Sequence, residues 1–174
     1  MCSVSKLQQF LRLTDQKQSH ALIDAINVPN LYARLEALDS PFVSLLNGWS
    51  STSYLRVAPF LVKIDGVCPR LELLIEDAAS AGAMVWLESN HTIERIRSRL
   101  FKFYYWRHGR HHVYARIADA MYFSSFMKVL NEDQAKLLGT VAPRFLVPSG
   151  DNSIEFFQYD DALCRFVNKE AEIV

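Results

Sequence analysis

The feature that most constrains this chain is a series of short apolar runs separated by segments whose apolar residues recur every three or four positions. HALIDAI (20–26), FVSLL (42–46), APFLVKID (58–65), AMVWLES (83–89) and HHVYARI (111–117) are too short for helices, carry β-branched and aromatic residues, and read as strands. Asn27 with Pro29-Asn30 closes the first, and Asn47-Gly48 closes the second. The intervening segments have the helical period. PNLYARLEAL repeats Leu31, Leu35 and Leu38 on one face, behind a proline suited to a first turn. RLELLIEDAASA (70–81) lines up Leu71, Leu74, Ile75 and Ala78, and Gly82 can end it in a left-handed conformation. From His91 to about Tyr104, Ile93, Ile96, Leu100 and Phe103 form a stripe, with Asn90 as the expected cap. A short amphipathic helix over residues 4–13, with Val4, Leu7, Phe10 and Leu11, precedes them all, and WSSTSYLRV is read as a loop.

Strands alternating with helices predict an α/β (α+β) fold: a sheet lobe flanked by helices and joined to a smaller helical lobe. The sheet is expected to be mixed, because FVSLL and APFLVKI are joined without a helix. After residue 117 the pattern changes. ADAMYFSSFMKVL and NEDQAKLLG read as consecutive helices, the second capped by Asn131 with acidic residues in its first turn. RFLVPSG and NSIEFFQY then suggest a hairpin around Pro148 to Asn152, followed by an acidic tail. The expected division is an α/β lobe at 1–117 and a helical lobe with hairpin and tail at 118–174.

The 174 residues, half of them hydrophobic, suffice for a real core. Nineteen basic and nineteen acidic residues leave no global field to draw the chain to nucleic acid or to an anionic membrane. Such neutrality weakly favours association with other protein surfaces. Cys2, Cys68 and Cys164 are odd in number, with no CxxC, which argues against a disulfide framework and a zinc knuckle. No apolar stretch approaches the roughly 20 residues of a membrane span, and the N-terminus lacks a signal-peptide run. A cytoplasmic location is expected, with no membrane partner.

Chemistry-bearing motifs are sparse. Residues 94–116 carry seven basic side chains against one acidic, a local net of +6 balanced by −6 elsewhere, interleaved with Phe, Tyr and Trp. A nucleic-acid-binding or regulatory module using stretch 95–116 is therefore the alternative reading, since phosphates need cations and bases need rings. The helical stripe turns most of those aromatics inward, however, and leaves Arg95, Arg99 and Lys102 as a solvated outer face or a patch for an acidic protein partner. His111 and His112 are adjacent on a strand and point to opposite faces, so no metal site is expected. The chain has no GxSxG elbow and no glycine-rich phosphate loop, so no catalytic residue and no cofactor is assigned, and a hydrolase remains a third class. The most unusual segment is AMYFSSFMKVL (120–130), apolar in nearly every helical direction. Such a helix is central in its domain or completes its burial against a partner. Tyr122, Phe126, Met127 and Leu130 are the candidate groove for an amphipathic segment, since methionine repacks around varied shapes.

Several quoted pieces occur here in a particular order: HALIDAI before PNLYARL, LLNGW before VAPFLVKID, PRLELLIEDA leading into AMVWLES, then ERIRSRLFKFYYW and VYARIADAMYF. In this order the chain resembles, over roughly residues 6–160, the bacterial type VI secretion adaptor-chaperone family known as domain of unknown function 4123. The resemblance implies a non-enzymatic cytoplasmic chaperone that binds a secreted toxic effector and promotes its loading onto the VgrG spike protein. At the lobe junction the family carries an Arg-aromatic-Tyr-Asp-Pro-Arg run. Arg116 and Asp119 match it, while Ile117, Ala118, Ala120 and Met121 depart. By that resemblance Arg116 and Asp119 join Tyr122, Phe126, Met127 and Leu130 as expected partner-binding residues.

Overall fold

The computed structural model describes residues 5–15, 18–46, 52–148 and 153–171. The expected turns at Asn47-Gly48 and around Pro148 to Asn152 fall wholly or largely outside them, as does the end of the acidic tail. In chain order the elements are α1 (Lys6–Leu13), β1 (Ser19–Asp24), α2 (Leu31–Glu36), β2 (Phe42–Ser44), α3 (Thr52–Leu55), β3 (Pro59–Lys63), α4 (Pro69–Ser80), β4 (Met84–Glu88) and α5 (Ile93–Tyr104). Then come β5 (Tyr105–His108), β6 (His111–Tyr114), α6 (Ala120–Met127), α7 (Glu132–Val141), β7 (Arg144–Pro148), β8 (Ile154–Asp160) and β9 (Arg165–Ala171).

The expected α/β class holds. Seven strands form one sheet in the order β2-β3-β1-β4-β7-β8-β9, and β5-β6 is a separate hairpin. Within the sheet every described pairing is antiparallel, where alternation of strands and helices suggested a mixed sheet. The reason lies in the crossovers. Strands β3 and β4 run the same way and are joined through α4, as in a parallel unit, but β1 inserts between them antiparallel to both. Likewise β1 and β2 run the same way with β3 between them. The sequence carries the strand-helix-strand rhythm but not the insertion of a third strand.

Both faces of the central strands are covered, which is why β1 is buried at all six positions and β4 at all five. Ala21 and Trp86 are cross-strand partners, and Phe10 of α1 stacks on Trp86 with centroids 5.0 Å apart. His20 and Asp24, alternating with Ala21 along β1, belong to the opposite face. Helices α1 and α4 pack together; α5 lies against β2, β3 and α7, while α6 and α7 cover β4, β7, β8 and β9.

Local chemistry explains the element ends. Gly82 takes φ +61; its N–H donates to Ala79 O at 3.0 Å, and that of Ala83 donates to Ala78 O at 2.8 Å, which together close α4 in a Schellman motif. Thr92, not Asn90, caps α5: its extended backbone lets Oγ1 accept from Arg95 N at 3.4 Å. Asn131 and Gln134 form a reciprocal capping box on α7. The helical reading of 91–104 ends at Tyr104, and the next four residues turn back on His111–Tyr114. Gly109, φ +59, supplies the left-handed residue of that two-residue turn. Part of the expected loop WSSTSYLRV is the short α3. The C-terminal strands β7 and β8 pair as expected, and the segment following them adds β9 as the last strand. The sheet thus runs across residue 117, with β7 paired on β4. Among the described residues no helix is long and apolar enough to cross a membrane.

Candidate functional site

The expected junction residues are brought together at the start of α6. Asp119 is the N-cap of that helix, its Oδ1 accepting from Tyr122 N at 3.0 Å. Arg116, three residues earlier, lies 3.2 Å from the other Asp119 oxygen. The same guanidinium donates through Nη2 at 2.9 Å and Nε at 3.3 Å to Oδ2 of Asp24, at the end of β1. Oδ1 of Asp24 in turn accepts from Ile26 N at 3.0 Å. The Asp24 side chain is 5% exposed and that of Arg116 is 44% exposed, so the cation sits at the rim and neutralises an acid beneath it. Hydrogen bonding to Asp24 raises the pKa of Arg116 above its ordinary value. Arg116 and Asp119 were expected at the lobe junction from the family resemblance, without a pairing assigned between them; Asp24, 92 residues away in sequence, was not expected there. Its only signal was a lone carboxylate in an apolar run.

Beside this bridge stands a group of tyrosines. Tyr104 is buried, and burial, with Asp24 nearby, pushes its hydroxyl up to about 12. Its ring lies 5.7 Å from that of Tyr114, which lies 5.2 Å from Tyr105. Phe101 stacks on Tyr105 at 5.5 Å. The basic-aromatic stretch is therefore divided: Phe103 and Tyr104 are core, Phe101 and Tyr105 are half-buried, and Tyr114 faces solvent. Arg95 and Lys102 lie on the outer face of α5, and Arg99 donates to the Thr140 hydroxyl at 2.8 Å. Among the described residues no group of three or more His, Cys, Asp or Glu side chains could hold a metal ion.

Helix α6 separates the four apolar candidates. Met127 is 7% exposed and belongs to the core. Phe126 is half-buried, edge-on to Phe103 at 6.0 Å and stacked with Tyr122 at 6.3 Å. Leu130 is half-buried and Tyr122 exposed. The large hydrophobic side chains most open to solvent here are Met121, 84% exposed, and Val129, 77% exposed in the turn after the helix, neither of which was among the candidates. For Met121 the signal was present: it lies four residues before Ser125, and Ser125 marks that side of the helix as the outer one. What the arrangement offers is recognition: exposed Met121 and Tyr122 on a helix whose start is clamped to β1 by Arg116, with exposed Val129 in the turn that follows it.

Comparison with known proteins agrees with this chain's quoted segments. The family model described as domain of unknown function (DUF4123) matches residues 19–137, from β1 into α7. No curated protein matches. No solved structure matches.

Proposed function

The chain belongs to the DUF4123 family, and on that premise we propose that it is a non-enzymatic adaptor chaperone of type VI secretion. It binds a toxic effector in the cytoplasm, shields an apolar segment of it and presents it to the VgrG spike, without nucleotide, metal or other cofactor. The observation that carries this reading is the outward face of α6. An exposed methionine beside a tyrosine, on a helix already packed on its other side, is an apolar surface whose burial needs a partner, and exposed Val129 follows in the turn after it. Phe126 and Leu130 extend this surface inward, and Met127 supports it from the core. Arg116 and Asp119 hold the helix start, so this face is preorganised and little ordering cost falls on binding.

Tagged protein recovered from its native cells, salt-washed and analysed by mass spectrometry, tests the reading. One dominant large protein together with a spike component is expected, and Met121→Asp is expected to lose both. Recovery of nucleic acid, or of nothing but the protein itself, would sink the proposal.

A further inference from the structure

The sheet ends at β9, and that edge lies beside a groove of 480 Å³. Its apolar wall is Met127, Leu130, Ala135 and Phe166, and its two cations are Lys128 and Arg165. Among the described residues neither cation has an ion-pair partner. The direction of the β9 main chain follows from the strand before it. Tyr159 N–H donates to Pro143 O at 2.8 Å, so Tyr159 directs its peptide groups toward β7. Peptide groups alternate sides along a strand, so Gln158 and Asp160 face β9, where they pair with Val167 and Arg165. Phe166, Asn168 and Glu170 therefore turn their N–H and C=O groups outward, along the free edge.

We propose that this edge accepts an extended protein segment of alternating apolar and acidic residues, which adds as an eighth strand to β9. Main-chain bonds to Phe166 and Asn168 would supply register-independent affinity. Apolar side chains of the segment enter the groove on the helix side of the sheet, against Met127, Leu130 and Phe166, and its carboxylates, alternating to the opposite face, meet Arg165. A second copy of this chain fits less well. Two β9 strands paired with each other would bring a second Arg165 to the edge instead of a carboxylate. The family match, residues 19–137, does not cover β9. The inference deepens the adaptor reading and rests on it for the source of the segment.

The test is fluorescence anisotropy of the full chain with a fluorescein-labelled peptide of alternating valine and glutamate, compared with a valine-lysine peptide, alongside hydrogen exchange of the β9 amides. Saturable binding of the glutamate peptide alone is expected, with slowed exchange at Phe166 and Asn168. Arg165→Glu should weaken binding by about tenfold or more. Asn168→Pro removes an outward N–H while leaving the β8 ladder bonds, and should weaken it comparably. Should Asn168→Pro disturb folding, the charge-reversed variant and the exchange measurement on the natural chain still decide. No saturable binding, equal binding of the lysine peptide, or binding without amide protection overturns the proposal. Failure here with a dominant client in the co-purification removes the edge site and leaves the adaptor reading; peptide binding without a client does the reverse.

Discussion

Asp24 gains from Arg116 what burial alone would deny it, a cation at 2.9 Å. Truncating Arg116 to alanine leaves a carboxylate that is 5% exposed without its counter-ion. Full burial of the pair would make that loss about 3–5 kcal/mol, but Arg116 stands nearly half in solvent, so about 1–2 kcal/mol is expected in urea unfolding. Arg116→Lys should recover only part of it, because two N–H groups of the guanidinium share one Asp24 oxygen. His20 gives a pH signature. Burial, reinforced by Lys63, lowers its pKa from 6.5 despite the hydrogen bond to Gln18 O. Below pH 6.5 the unfolded chain takes up a proton that the folded chain refuses, so stability falls on acidification until the lowered folded value is passed. Urea midpoints between pH 8 and pH 5 should show that slope, reduced in His20→Leu; an unchanged slope would contradict it. Arg116 and Asp119 were named from the family resemblance, and their separation of three residues lets them meet at the start of α6, whereas Asp24 and His20 take their roles from strand pairing that no short-range pattern encodes.

At the scale of elements, helix α7 carries a glycine near its end for a reason of packing. A Cβ on Gly139 would sit 2.6 Å from the Tyr159 ring, so the helix approaches β8 as closely as it does only without one. Alanine is normally the better helix former by about 1 kcal/mol, yet Gly139→Ala should destabilise by about 1–3 kcal/mol, because the Tyr159 ring must move. A thermal midpoint at or above that of the natural chain would refute this. Helix α6 offers the complementary contrast between its two methionines. Met127→Ala opens the core and should cost about 2–4 kcal/mol, whereas Met121→Asp, on the solvent side, should change stability by less than about 0.5 kcal/mol while abolishing client capture. The sequence showed both helices, α7 through its Asn131 cap and acidic first turn and α6 as a segment apolar in nearly every helical direction. It did not show β9: RFVNKEA has no apolar run and no alternation strong enough to mark a strand, and it is held by the ladder that β8 offers it. The end of α5 near Tyr104 was legible, but the return of Tyr105–His108 as a strand on His111–Tyr114 was not, since Tyr105 and Trp106 suit either state.

The whole molecule is organised by one sheet that crosses the change of sequence character at residue 117. β4 pairs with β1 on one side and with β7 on the other, so the strand that completes the N-terminal half also begins the C-terminal half. The same coupling runs through side chains: Phe123 of α6 lies 5.1 Å from Phe145 of β7, and Ser89 after β4 donates to Val141 O at 2.6 Å. A chain ending at residue 117 would leave β4 as an open edge with one face stripped of α6 and α7, exposing Leu87 and its neighbours to water. Unfolding of the intact chain in urea should therefore be a single transition, coincident by tryptophan fluorescence and far-ultraviolet circular dichroism. Residues 1–117 expressed alone should be aggregated or show no cooperative transition. Two separated transitions, or a folded 1–117 fragment, would mean that the halves hold together independently of the sheet they share. In that case the clamp of Arg116 on Asp24, rather than the β4-β7 ladder, would be what fixes the outward face of α6 in place.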